Sequence, residues 1–248
     1  MKTKHTLIYC IKNLIVFFSF LSVFIINAQD KADREKTKDT IKFKNKYSLR
    51  VGADVSKLIR SAVSDDYMGF ELNADFRFKK NLYIAAEIGS EEKTNVTDFL
   101  DITTKGNYIK AGVDYNLYKN WLDMDNLIYS GFRLGYSNFN HTLNNFTVFN
   151  TSQYWAPQFS SNEAQEFNNL NAIWFEIIMG LKAEVLKNVY MGLNLQLKAN
   201  ISAKKPNNFT NVYIPGFNKT TDNSIIGVGF GYTIAYAIPF TKNKTVKK

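Results

Sequence analysis

The sequence predicts an all-β fold, an eight-stranded antiparallel transmembrane up-and-down β-barrel with long extracellular loops. Three observations lead to it. Apolar and polar residues alternate with a period of two through eight separate runs, the connections between the runs are long and short in turn, and the polar faces carry nearly equal numbers of acids and bases. The 248-residue chain is 45% apolar and 15% aromatic, which excludes a disordered protein.

The first 28 residues have the build of a secretory signal peptide. Basic residues come first, an apolar run extends from Leu14 to Ile26, and Ala28 precedes the expected cleavage point. That run has 13 residues, fewer than the roughly 20 that a membrane helix needs. An uncleaved anchor is the less favoured alternative for the same reason. Cleavage removes Cys10, the one cysteine, so no disulfide or cysteine metal site is expected in the mature chain.

The net charge of +9 is unevenly distributed. Residues 29–46 form a predicted charged periplasmic linker, 47–240 the barrel and 241–248 a basic periplasmic tail. The signal peptide contributes +3, the linker +3 and the tail +4, which leaves −1 for the barrel. The basicity therefore predicts no nucleic-acid partner, although the two tails are suited to touch anionic lipid or cell-wall polymer.

Each of the eight runs has one apolar and one polar face. The runs cover residues 47–56, 68–78, 82–89, 109–117, 128–137, 173–185, 189–200 and 226–240. The connections after the odd-numbered runs, counted as 57–66, 90–104, 138–170 and 202–223, total 80 residues, and those after the even-numbered runs, counted as 79–81, 119–126 and 186–188, total 14. Long loops at one end and short turns at the other are typical of outer-membrane barrels with both termini in the periplasm. In that setting the apolar faces point outward, to lipid.

The polar faces then place thirteen charged side chains in the lumen, where six bases and seven acids can pair. These residues are Arg50, Asp54, Glu71, Asp75, Arg77, Glu87, Lys110, Asp114, Arg133, Glu176, Lys182, Glu184 and Lys198. Eight strands enclose a space that side chains just fill. The sequence therefore predicts a closed, ion-paired lumen without an open channel.

The last run ends with apolar residues on every lipid-facing position. These are Tyr232, Ile234, Tyr236, Ile238 and Phe240. The segment resembles the terminal β-signal by which outer-membrane barrels are recognised for insertion, except that eight residues follow Phe240. With the Ile-Asn-Ala-Gln cleavage region and the Lys/Asn/Phe-rich composition, residues 47–240 resemble the small outer-membrane β-barrel proteins of Bacteroidota. The resemblance implies a location in the outer membrane of a Gram-negative cell, contact with its lipid and insertion by the barrel assembly machinery. It implies no reaction.

One histidine, His141, is the candidate for a catalytic base in the mature chain. A histidine beside a hydroxyl nucleophile at the rim fits a hydrolase or acyltransferase acting on envelope lipid. Its hydroxyl neighbours are Ser137 and Thr142, and the acids considered are Asp101, Glu163 and Asp222. Because His141 lies in an Asn-rich stretch without a Gly-x-Ser-x-Gly motif, a solvated loop residue is the favoured interpretation. The expectation is therefore no enzyme, no cofactor and no metal, with Glu91 and Glu92 as solvated loop residues.

Aromatic and branched apolar residues leave two further questions open. Those of the fifth and seventh connections either present a patch to a surface ligand or pack together as a cap; they are Phe146, Val148, Phe149, Tyr154, Trp155, Phe159, Phe209, Val212, Tyr213, Ile214 and Phe217. Others are predicted to form two membrane girdles: Tyr47, Phe78, Tyr118, Trp121, Tyr190 and Phe240 at the short-turn end, and Tyr67, Tyr108, Tyr136, Phe139, Trp174 and Phe175 at the long-loop end. Passage of a small apolar ligand through the wall is a third functional alternative, for which no residue set stands out.

Overall fold

Eight long antiparallel strands close into a ring. In the computed structural model the elements are β1 (Ser48–Asp54), α1 (Val55–Val63), β2 (Tyr67–Lys79), β3 (Leu82–Thr97), β4 (Leu100–Asn116), β5 (Leu127–Thr147), β6 (Ser160–Ser161), β7 (Gln165–Leu186), β8 (Val189–Ala203), β9 (Tyr213–Ile214), β10 (Asn218–Lys219) and β11 (Ile226–Pro239). The ring runs β1-β2-β3-β4-β5-β7-β8-β11 and closes where β11 pairs with β1. The predicted eight-stranded up-and-down barrel is confirmed.

The structure describes residues 48–79, 81–118, 126–148, 159–161, 163–206, 209–220 and 225–239. The predicted signal peptide, linker and basic tail lie outside these ranges. So do Tyr47, Trp121 and Phe240 of the predicted girdles and Phe149, Tyr154 and Trp155 of the fifth connection.

The polarity of the barrel is inverted relative to a water-soluble fold. Leu195 and Phe230 on its outer face are 70% and 72% exposed, whereas Arg50, Glu71 and Lys198 are buried inside. An apolar exterior around a charged interior is the arrangement of a transmembrane barrel, as predicted. None of the helices within the described ranges is long and apolar enough to cross a membrane.

Two of the predicted long loops consist mostly of strand. β3 and β4 stay paired out to Thr97↔Leu100, and β5 and β7 out to Leu143↔Gln165. We call the end of the barrel with these hairpins the outer end. The runs were predicted too short because apolar alternation stops where the outward face leaves the lipid, while the hydrogen-bond ladder continues.

The first connection contains a helix, so the prediction of a strand to Ser56 followed by a loop is wrong. The Asp54 carboxylate accepts the Ser56 N–H at 2.8 Å and caps α1. Leu58, Ile59 and Val63 are exposed. Lys57, on the other face of the helix, reaches lumen carboxylates. The helix therefore has the same inverted polarity as the barrel wall, with apolar side chains outward and a charged side chain toward the lumen.

The seventh connection turns back into the barrel and caps it. Tyr213, Ile214 and Phe217 in and beside the β9–β10 hairpin are buried, and Ile214 and Phe217 pack in one cluster with Trp174 and Tyr108. The turn needs glycine at Gly216, which has φ +80 and where a Cβ would lie 2.6 Å from the Tyr108 ring. The cap alternative therefore holds for this connection. In the fifth connection, Val148 and Phe159 stay exposed.

Five aromatics predicted for the girdles point into the lumen instead, so the girdle prediction is wrong for them. They are Tyr67, Tyr108, Phe139, Trp174 and Tyr190. Strand alternation places them on the inner face, where polar partners are available: Tyr108 donates to Glu71 at 2.6 Å and Trp174 to Glu176 at 2.6 Å. Phe78, Tyr118 and Tyr136 do face outward.

Candidate functional site

An ion pair crosses the full width of the lumen. Asp75 on β2 lies 2.5 Å from the Arg50 guanidinium of β1 and, through its other oxygen, 2.5 Å from Lys182 Nζ of β7. β2 and β7 are four strands apart in a ring of eight and so stand opposite one another. This pair therefore joins facing walls of the barrel.

Lys110 is the centre of a second group of charges. Its buried ammonium pairs with Glu87, lies 3.1 Å from Glu71 and is 4.0 Å from Glu176. Arg133 holds Asp114 with two hydrogen bonds of 2.8 and 3.0 Å and reaches Glu87 at 3.1 Å. Burial of a charge is costly unless the charge is paired and hydrogen-bonded. The network meets this requirement with cations and carboxylates from different strands.

We call these charges the inner layer. They are Arg50, Glu71, Asp75, Glu87, Lys110, Asp114, Arg133, Glu176 and Lys182. Lys198 lies at the edge of the layer, 3.7 Å from Glu176, and donates to the carbonyl of Gly216 at 2.6 Å.

The other predicted lumen residues make different contacts. Asp54 caps α1 and also accepts the Tyr232 N–H at 3.3 Å. The Arg77 guanidinium is buried over the Tyr83 ring, 5.2 Å from its centroid. Glu184 is half-buried and accepts the Asn188 N–H at 2.9 Å beside the β7–β8 turn.

Glu91 is buried at the centre of an outer group of contacts, so its prediction as a solvated loop residue is wrong. Its carboxylate pairs with Lys57 of α1 and accepts hydrogen bonds from Tyr67 at 3.1 Å, Tyr213 at 2.7 Å and the Gly216 N–H at 2.9 Å. It lies on the same strand face as Glu87, four residues earlier, which was the available signal. We call α1, the β9–β10 hairpin and Glu91 the outer layer.

His141 is also buried, contrary to the prediction of a solvated residue. Its Nδ1 lies 2.7 Å from Thr104 Oγ1, and its Nε2 lies 3.1 Å from Asn211 Oδ1. Asn211 Nδ2 donates to the Lys204 carbonyl at 3.0 Å, so Oδ1 accepts from Nε2–H and Nδ1 accepts the Thr104 hydroxyl proton. Burial lowers the pKa of His141 to about 4, and the hydrogen bond that His141 donates to Asn211 opposes that shift only in part.

This arrangement ties the seventh connection to the wall and does not form an accessible site. A neutral imidazole beside a hydroxyl has the chemistry of a base and a nucleophile, but Thr104 and His141 are both fully buried. Among the rim residues considered, Ser137 donates to the Asn107 carbonyl and Asp101 accepts from Asn144. Asp222 lies outside the described residues. Within the described ranges, no group of three His, Cys, Asp or Glu side chains could hold a metal.

Four of the five residues predicted to form the insertion signal lie on β11, and the fifth, Phe240, lies outside the described residues. Ile234, Tyr236 and Ile238 are exposed on the outer face, and Tyr232 is half-buried in the middle of the strand.

The family assignment rests on nearly the whole chain. The model of DUF6048, a domain of unknown function, matches residues 7–243. The chain belongs to the DUF6048 family. No curated protein matches the sequence significantly.

Two solved structures are similar to this DUF6048 chain. The attachment invasion locus protein Ail of Yersinia pestis is 10% identical, with 79% of this chain and 99% of Ail covered and a TM-score of 0.40. The Neisserial surface protein A, NspA, is 9% identical, with 78% and 95% covered and a TM-score of 0.36.

Proposed function

We propose that this protein is an outer-membrane barrel with a lumen closed to ions, and that it has a structural or surface-interaction role at its outer end. The ion pair from Asp75 to Lys182 carries the proposal, because it brings side chains of opposite walls into contact across a lumen that, in an eight-stranded barrel, side chains just fill. The cap that the outer layer forms over the outer end of the lumen also supports the proposal. A Bacteroidota origin and cleavage after Ala28 are parts of the same proposal.

The outward faces of the strands fit contact with outer-membrane lipid, and β11 fits delivery by the barrel assembly machinery. The paired hairpins β3–β4 and β5–β7 form the outer end. Val96, Val148 and Phe159 there are exposed apolar residues that fit a surface ligand.

Heat modifiability tests the membrane barrel directly. Full-length protein extracted from the outer-membrane fraction should migrate faster on a detergent gel before boiling than after it, because a closed barrel resists detergent. Equal migration, or recovery in the soluble fraction, contradicts the membrane assignment.

Planar-bilayer recordings test the closed lumen. Reconstituted wild-type protein should give no conductance above that of the lipid. The double variant Asp75→Ala/Lys182→Ala, which removes the crossing ion pair, is the matched preparation in which small currents are expected. Steady currents from the wild-type protein contradict a closed lumen.

Cysteine labelling tests the orientation. Val96→Cys beside the β3–β4 turn and Val185→Cys near the β7–β8 turn are both at exposed positions. A membrane-impermeant maleimide should label Val96→Cys in intact cells and Val185→Cys only after lysis. The reverse pattern inverts the proposed orientation.

We propose no catalytic role for His141, because neither it nor Thr104 is exposed to a lipid substrate. A His141→Ala variant should leave envelope lipid turnover unchanged at equal protein abundance. A change in lipid composition would favour the rim-enzyme alternative.

A further inference from the structure

The barrel wall has a gap beyond the outer end of β1. β1 ends at Asp54, opposite Thr233 of β11, and its last pair with β2 is Ala53↔Leu72. β11 continues for seven residues past that point, Ile226–Tyr232, and β2 continues for five, Tyr67–Glu71. Both continue to pair on their other sides, with β8 and β3. Two strand edges therefore face one another, and α1 lies between them.

Helix α1 seals the β2 side of this gap. The Ser61 hydroxyl accepts the Gly69 N–H at 2.8 Å, and its one proton lies between two carbonyl oxygens, that of Lys57 at 2.9 Å and that of Gly69 at 3.1 Å. A single side chain thus takes the place of the missing strand partner. The Arg60 guanidinium stacks on Tyr67 of the same strand at 3.9 Å.

Within the described residues, no strand pairs with the β11 side of the gap. Asp54 accepts the Tyr232 N–H at 3.3 Å, and Asn218 donates to the Val228 carbonyl at 3.2 Å. Strand alternation directs the N–H and C=O of Phe230, midway between them, to the same edge. A cleft of about 860 Å³ separates this edge from α1. Backbone N–H and C=O groups within the hydrocarbon layer of a membrane require polar partners. The cleft is therefore suited to a ligand with a polar end.

The lining of the cleft changes from polar on its lumen side to apolar on its lipid side. The buried or half-buried Lys57, Gln196 and Lys198 line its lumen side, and the exposed Arg60 lies at its opening. Leu195 and Phe230 line its lipid side. With Met179 and Leu181 they also line a second groove of about 600 Å³ on the lipid-facing wall. A polar pocket is thus continuous with an apolar groove.

The geometry points to a long-chain fatty acid as the ligand, with its carboxylate in the cleft and its acyl chain along the outer groove. The cations that line the cleft are Lys57, Arg60 and Lys198, and its carboxylate is Asp54. That carboxylate already accepts hydrogen bonds from Ser56 and Tyr232. Lys57 and Lys198 already pair with carboxylates on the lumen side, so the exposed Arg60 is the cation that faces a ligand. Arg60 at the exposed mouth supplies the charge that an incoming carboxylate meets first.

This site differs from a route through the barrel. Lys57 and Lys198 are paired on the lumen side with Glu91 and Glu176, and the inner layer fills the space below. The ligand therefore enters and leaves sideways, from the membrane. The inference goes beyond the proposed function and adds a lipid site to a closed barrel.

Electron paramagnetic resonance with a spin-labelled C18 fatty acid tests the inference. The full chain is placed in phosphatidylcholine nanodiscs, and the matched C18 alcohol serves as the second probe. We expect an immobilised acid component that saturates at about one per barrel. Val228→Trp, at the edge lining the cleft, should weaken binding at least tenfold. Val113→Trp, the same change at a lipid-facing position of β4, should leave it unchanged.

Arg60→Gln tests charge recognition at an exposed position that does not endanger folding. It should weaken acid binding about fivefold to tenfold and leave the alcohol unaffected. The inference is overturned if no immobilised component appears, if Val113→Trp and Val228→Trp behave alike, or if acid and alcohol bind equally. Native mass spectrometry that finds a phospholipid in the cleft, not displaced by fatty acid, also overturns it. Heat modifiability of each sample is checked first, so that failed insertion counts against the membrane assignment and not against the ligand.

Discussion

The two layers of the lumen are built in different ways. Every charge of the inner layer stands on a strand of the ring and has an ionic partner on another strand; Glu71 also pairs with Lys57 of α1. The outer layer is made by segments that leave the ring and return to it, α1 and the β9–β10 hairpin, which Glu91 and His141 hold in place.

Because of this difference, we expect the ring of strands and the cap to open in separate events. Loss of an inner contact leaves charges buried between walls that cannot move apart without unfolding the ring. Loss of an outer contact frees a short segment that can open locally. We therefore expect mutations in the inner layer to lower the global free energy of unfolding, and mutations in the outer layer to act mainly on the cap.

The largest effect is expected from Lys110→Ala. The substitution leaves Glu71, Glu87 and Glu176 buried without their shared cation, which should lower the free energy of unfolding by about 3–5 kcal/mol. Urea unfolding in lipid vesicles, followed by tryptophan fluorescence, measures it. Lys105→Ala is the matched control on the same strand: Lys105 is 71% exposed and pairs with Glu92, so a change below about 1 kcal/mol is expected. Equal effects from both variants would contradict an ionic inner layer.

The next largest effect is expected from Glu91→Gln, at the centre of the outer layer. The amide removes the charge that faces Lys57 and an acceptor that Tyr213 and Gly216 share. The opening free energy of the cap should fall by about 3 kcal/mol, which speeds amide exchange in the β9–β10 hairpin roughly a hundredfold. Hydrogen exchange measured by mass spectrometry reports it.

Glu92→Gln is the control for that variant. Its side chain is 35% exposed and pairs with Lys105 on the outside, so cap exchange should stay at the wild-type rate. If Glu91→Gln accelerates exchange uniformly over all strands, the cap is not an independent unit and the distinction between the layers fails.

The inner layer was predictable from the sequence and the outer layer was not, for a physical reason. Alternation reports a side chain's face wherever lipid makes the opposite face apolar, as it does for Glu71, Asp75 and Lys110. Beyond the lipid both faces are polar. The pattern therefore stops before Glu91, although the strand does not.

The missed helix had a local signal. Apolar residues at 55, 58, 59, 62 and 63 have helical spacing after the capping residue Asp54. Val55 and Ser56 also continue the strand alternation, and the two patterns compete at that point. The burial of Ile214 and Phe217 had no local signal, since it depends on packing against Trp174, which is distant in sequence.

The pH dependence of the cap gives a smaller expected effect. The pKa of His141 is lowered to about 4 in the folded protein, against an ordinary value near 6.5. The unfolded chain therefore binds the proton first, and stability that is present above pH 6.5 is lost as the pH falls toward 4. The loss should reach about 2 kcal/mol between pH 6.5 and 5. His141→Gln, which cannot titrate, should make the opening free energy of the cap independent of pH over this range. If the variant keeps the pH dependence of the wild-type protein, His141 is not its source.

The smallest effect is expected at the seam where α1 replaces a strand. Ser61→Ala removes the hydroxyl that serves the Gly69 N–H and carbonyl and should cost about 1 kcal/mol. Exchange at Gly69 should rise roughly fivefold, while exchange in the inner part of β2, where Ala74 pairs with Val51, stays unchanged. Ser61→Thr keeps the hydroxyl and should restore protection. If Ser61→Ala leaves Gly69 protected, the backbone of α1 and not this side chain closes the wall beside β2.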